Sequence, residues 1–168
     1  MDVIKNLSML TSQFIIKQPA KPKGFLPRLK SSGSYLTLNK LISYAIPFAG
    51  RSGFEVIKLK PGLLRARIPY KNNANYLGSV YVGALFTLAE VPGGAMAVFE
   101  FGTDYSAVLK DMSIQFQAQA RSDVTVEFKI PKRQIKQVLA EAENVGVGDF
   151  TLHGRLFDDK DELIAETT

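Results

Sequence analysis

Two periods of apolar residues divide the chain. Met112, Ile114, Phe116, Ala118 and Ala120 alternate with Ser113, Gln115, Gln117 and Gln119. Val124, Val126, Phe128 and Ile130 alternate with Thr125, Glu127 and Lys129. A period of two sends successive side chains to opposite faces, so both stretches predict half-buried antiparallel strands. Leu64, Ala66, Ile68 and Tyr70 repeat the pattern against Arg65 and Arg67, with residues 54–59 as a preceding strand and Lys60-Pro61-Gly62 as the hairpin turn. Residues 146–157 and 163–167 predict two more strands, joined by a turn at Asp158-Asp159-Lys160-Asp161.

Elsewhere the spacing is helical. Leu38, Leu41, Ile42 and Ala45 predict a helix ending before Pro47. Ile135, Val138, Leu139 and Ala142 predict one over 132–143, with Pro131 at its first turn. Val3, Leu7, Leu10 and Phe14, flanked by Ile4 and Ile15, predict a short amphipathic helix over 2–16. Docking on the domain or a partner subunit suits it best. Membrane-surface contact is the alternative, with only Lys5 and Lys17 as a cationic face. Pro19, Pro22, Gly24, Pro27 and Ser31-Ser32-Gly33-Ser34 then form an extended linker. The expected organisation is a basic extension and linker over 1–34 and one domain over 35–168.

The remaining segment, NYLGSVYVGALFTLAE, runs from Asn75 to Glu90 and carries no charge before its final acid. Asn72, Asn73, Asn75 and Gly78 mark a loop, and Ser79 is the candidate N-cap of a following helix. A helix apolar nearly all round must be buried. A sheet of local hairpins wrapped around it is the economical solution, which makes the fold class α+β. Pro92, followed by Gly93 and Gly94, is expected to kink or interrupt the helix.

The chain has 168 residues, which suits a single domain with a real core. It has no cysteine and a single histidine, His153, which excludes disulfides and leaves no ligand set for structural zinc. The formal net charge is +5. Lys5, Lys17, Lys21, Lys23, Arg28 and Lys30 against Asp2 account for all of it, so the domain itself is neutral. That argues against a nucleic-acid groove and leaves the leader as a contact for phosphates or anionic headgroups. No apolar run is expected to reach the ~20 residues of a membrane span, and no secretory signal pattern opens the chain, so a cytoplasmic location is expected. There is no phosphate-loop or dinucleotide fingerprint.

The chemistry concentrates at the central segment. The first N–H groups of a helix lack intrahelical partners and carry its partial positive charge, so they can hold a developing oxyanion. Glu90 follows Val82 by eight residues, about 12 Å along one helix. One chain cannot join the two, but two antiparallel copies can, so the segment makes chemical sense in a symmetric dimer. A purely structural Glu90 is the weaker reading, because a carboxylate on a buried helix costs several kcal/mol unless it is paired. Asn75 as a plain turn residue, and Gly83 as a packing glycine, stand as alternatives to functional roles.

The segment resembles the central-helix motif of hot-dog-fold acyl-CoA thioesterases of the phenylacetate-pathway type, approximately N-x-x-G-x-x-H-G-G-x-x-x-x-L-A-D. Asn75, Gly78, Gly83, Leu88 and Ala89 match at every spacing, and Glu90 falls on the acid. The order of elements is similar over roughly residues 36–168. The helix near 132–143, the stretch IPFAGRSG and the proline after the acid resemble a less characterised hot-dog family, also found fused behind an acetyltransferase. The resemblance implies a homodimer or dimer of dimers that hydrolyses an acyl-CoA or acyl-carrier thioester without cofactor or metal. It implies that the Val82 N–H polarises the carbonyl and that Glu90 of the other subunit acts as nucleophile or general base. Asn75 then orients water or substrate, and Tyr81, Gly83 and Gly78 line the binding site. Tyr81 stands where the motif has histidine and Val82 where it has its first glycine. A non-catalytic acyl-CoA or lipid binder is the rival reading. A dehydratase is weakened, since His153 lies far in sequence from the acid.

Overall fold

The structure, a computed structural model, describes residues 13–17, 35–102 and 104–168. In chain order it contains strand β1 (Gln13–Lys17), helices α1 (Tyr35–Ala45) and α2 (Pro47–Ser52), strands β2 (Glu55–Lys60) and β3 (Leu63–Ile68), and helix α3 (Val82–Phe101). Strands β4 (Tyr105–Leu109), β5 (Ile114–Phe116) and β6 (Val124–Lys129) follow. Helix α4 (Lys132–Val145) and strands β7 (Val147–Phe150), β8 (Gly154–Phe157) and β9 (Leu163–Thr167) complete the chain.

Alternation translates directly into pairing. Leu64, Ala66 and Ile68 of β3 face Phe128, Val126 and Val124 of β6 in antiparallel register, and all six are buried. Arg65 and Glu127 meet on the opposite face as an ion pair. Gly62, at φ +76°, turns the β2–β3 hairpin, a left-handed position that suits glycine. The order in the six-stranded sheet is β2-β3-β6-β8-β9-β5, and β4-β1-β7 forms a second sheet. Every pair is antiparallel. Helix α3 packs against β3, β6 and β4, and so touches both sheets. Leu88, at its middle, is wholly buried. This is the expected α+β hot-dog arrangement, an antiparallel sheet wrapped around a long central helix.

Several expectations change. Among the described residues only β2–β3 and β8–β9 are hairpins; β3–β6 and β5–β9 pair strands distant in sequence. Residues 146–157 are two strands, because the chain leaves the small sheet after Phe150 and enters the large one at Gly154. Residues 13–17 are strand rather than helix. Ile15 is fully buried there between β4 and β7, and the β-branched pair Ile15-Ile16 suits a sheet better than a helix. The rest of the expected leader helix, and the linker, lie outside the described residues.

Helix α3 runs unbroken through the buried Pro92 for 20 residues. Proline removes one helical N–H, but the tertiary contacts on both sides of it hold the turns together. On length and composition α3 is apolar enough to cross a membrane, contrary to expectation. Half of its apolar window is already buried inside this chain, as befits a core helix.

Candidate functional site

The site begins with the loop between β3 and α3. Asn73, buried, donates from Nδ2 to the carbonyls of Ser52 and Pro69, both at 2.7 Å, and so pins the loop to α2. Asn75 Oδ1 accepts the N–H groups of Leu77 at 2.9 Å and Ser79 at 3.2 Å, and its Nδ2 donates to Ser79 Oγ at 3.1 Å. Gly78 sits at φ +71°, and its carbonyl accepts the Tyr70 hydroxyl at 3.1 Å. Val80 N–H donates to the Ala120 carbonyl at 2.8 Å and Tyr81 N–H to the Asn73 carbonyl at 2.7 Å. These bonds fix where the helix starts.

Tyr81, not Ser79, is the N-cap residue, and its side chain makes no capping bond. Ser79 is instead occupied by Asn75. The Tyr81 carbonyl accepts from Ala84 at 2.9 Å and Leu85 at 3.3 Å. The N–H groups of Val82 and Gly83 therefore lie in the first turn with no acceptor inside the helix. The Tyr81 ring folds back over Gly83, where a Cβ would collide with it. Glycine at 83 is what lets the tyrosine lie against the helix start.

Glu90 lies two turns further along. Its side chain is exposed on the isolated chain, yet the surrounding protein desolvates the carboxyl and raises its pKa above the ordinary 4.5. It has no hydrogen-bond or ion-pair partner among the described residues. Val82, Phe86 and Glu90 are spaced by four and all exposed, so they share one stripe of α3. Phe86 packs against Phe116 of β5, ring centroids 6.2 Å apart. Tyr76, Leu77 and Tyr81 add exposed apolar surface at the helix start.

Six sequence-predicted positions thus fall in two groups. Asn75, Gly78, Tyr81, Val82 and Gly83 gather at the helix start; Glu90 stands apart from them on the same face. The aromatic pair Phe86–Phe116 was missed by sequence reasoning. Phe86 could have been found from its four-residue spacing to Glu90; Phe116 could not, because only the β5–β9 pairing places it there. His153 lies elsewhere. With Arg155, Lys129, Glu127 and Glu166 it lines a charged cleft of about 390 Å³ on the six-stranded sheet, and its Nδ1 sits 3.1 Å from Thr168 Oγ1. That cleft includes none of the motif residues.

Comparison with known proteins agrees with the fold. Residues 36–168 match a family described as a domain of unknown function (DUF4442). Protein PA5026 of Pseudomonas aeruginosa, described as a protein of unknown function and probable thioesterase, is similar at 34% identity. The match covers 79% of this chain and 90% of that one, with a TM-score of 0.69. Thioesterase HI1161 of Haemophilus influenzae shares the fold at 16% identity, covering 84% and 90% of the two chains, with a TM-score of 0.63. Mouse thioesterase superfamily member 2 does so at 16%, covering 82% and 95%, with a TM-score of 0.57. No curated protein matches the sequence.

Proposed function

Since the chain belongs to the DUF4442 family within the hot-dog thioesterase superfamily, we propose that it hydrolyses an acyl-CoA or acyl-carrier thioester at a site shared by two copies of α3. The observation that carries this is the exposed stripe. Glu90, unpaired, and the unsatisfied first-turn N–H groups lie on one face of one helix, about 12 Å apart. Phe86 is midway. A two-fold axis beside Phe86 lays each Glu90 against the helix start of the other copy, and the exposed aromatics become the interface around it.

In that arrangement the thioester carbonyl oxygen accepts the Val82 N–H, with Gly83 N–H beside it. Negative charge growing on that oxygen is stabilised by donors already in place. Glu90 takes a proton from water as the water oxygen attacks the carbonyl carbon. The C–S bond then breaks, and the thiolate leaves with a proton to give thiol and carboxylic acid. Attack by Glu90 itself, through an anhydride, gives the same products. Desolvation makes the carboxylate a stronger base than an exposed glutamate. Asn75 keeps one Nδ2 hydrogen beyond its bond to Ser79 and serves to orient water or substrate. Tyr81 offers a hydroxyl donor, but not the proton transfer of the motif's histidine. Gly78 holds the turn beneath them. The protein works as a soluble cytoplasmic homodimer in this reading, with α3 closed off by its partner.

The second reading, an acyl-CoA binder without turnover, rests on the same departures: Tyr81 for histidine, and Val82, a residue 45% exposed, where a thioester would approach. Thiol release from short, medium, long and aromatic acyl-CoAs separates the two. Hydrolysis by the wild type that disappears in Glu90→Ala, with binding kept, establishes the enzyme. Binding without release by the wild type establishes the binder.

A further inference from the structure

The exposed stripe of α3 does not end at the acid. Gly94 continues the four-residue spacing of Val82, Phe86 and Glu90, and it too is exposed. It lies on the same face as Glu90, about 6 Å further along the axis. A Cβ built there meets no heavy atom of the described residues within 4 Å. Its backbone is helical rather than left-handed.

Glycine is the poorest helix former after proline, because its backbone has the most freedom to lose. Among the described residues nothing requires it at this position: neither a left-handed turn nor a close neighbour. The missing side chain leaves this part of the exposed face of α3 clear for a group from outside the described residues. The opposite side of the acid is walled, since Phe86 lies one turn before Glu90 with its ring against Phe116. A group held at Glu90 meets aromatic surface toward the helix start and open space toward Gly94.

We propose that Gly94 leaves the passage for the acyl chain beyond Glu90, so that this position sets the longest acyl group the site accepts. The inference rests on the thioesterase reading of the same face. Bulk at residue 94 closes the passage to long chains and spares short ones, which end before reaching it.

The test compares wild type with Gly94→Ala and Gly94→Leu on straight-chain acyl-CoAs from acetyl upward. Thiol release is measured together with the sedimentation and thermal unfolding of each protein. For Gly94→Leu, kcat/KM on the longest chain the wild type hydrolyses, divided by that on acetyl-CoA, should fall at least about tenfold, with a smaller fall for Gly94→Ala. An unchanged ratio in a folded dimer overturns the proposal. Dissociation of the dimer by leucine also overturns it, because the partner subunit then fills the space. If the wild type releases no thiol from any acyl-CoA, the thioesterase reading has failed. Calorimetric affinities for the same series then decide about Gly94: selective weakening of long chains supports the passage, and equal weakening refutes it.

Discussion

In the proposed mechanism, Glu90 is the residue on which stability and activity pull in opposite directions. Folding raises its pKa by desolvation, so the folded state favours the protonated form. Below the unfolded value of 4.5 this carries no penalty. As pH rises through 4.5 toward the raised value, the penalty grows, and above that it stays constant. Glu90→Gln should therefore raise the Tm of the protein near neutral pH and leave it unchanged in acid, while removing hydrolysis. Unfolding scans at both pH values check the sign; a Tm lowered at neutral pH contradicts it. In the proposed mechanism the base form is the active one, so turnover should fall on acidification with a midpoint above the usual glutamate value, read from a pH–rate profile. Gly78 acts through the backbone. At φ +71° a Cβ there meets only contacts of 3.9 Å, so Gly78→Ala is penalised by conformation rather than collision. About 1–2 kcal/mol of stability should be lost in denaturant titration, and turnover should fall with it as the helix start loosens.

At the scale of elements, α3 is core and, in the proposed function, also site. Its buried side, centred on Leu88, joins the two sheets, and Leu88→Ala should cost about 2–5 kcal/mol in chemical denaturation. Its other side, the stripe of Val82, Phe86, Glu90 and Gly94, is exposed, and the proposed chemistry is placed there. Strands β3 and β6 were legible in the sequence because each buries one face, and a period of two records that fact. The motif was legible for a similar reason: Asn75 to Glu90 lie within one loop and one helix, so sequence spacing is spatial spacing. Strand β1 was not, since Phe14 and Ile15 fit helical spacing while only the gap between β4 and β7 makes them strand. The change of sheet between Phe150 and Gly154 leaves no local signal either. Pro92 misled in the opposite direction, because a residue's own propensity yields to packing when both of its neighbouring turns are held.

At the scale of the whole molecule, the proposed mechanism makes one chain half a site twice: an acid with nothing to act on, and amide donors with nothing to hold. The protein should therefore sediment as a dimer, with Phe86 at its centre, and Phe86→Asp should shift it toward monomer and abolish turnover together. Two variants can each remove one half without unfolding the chain. Glu90→Ala deletes the acid. Val82→Pro deletes the amide donor at the first helical position, where proline is well tolerated, and the preceding Tyr81 already has the extended ψ of 132° that proline favours. The decisive measurement is thiol release by these two variants, singly and after mixing under conditions that exchange subunits. Each alone should be nearly inactive, and the mixture should recover about a quarter of wild-type turnover, since half the dimers are mixed and each of those holds one complete site. A mixture as silent as its components, beside an active wild type, would mean that Glu90 and the Val82 amide do not meet across two subunits.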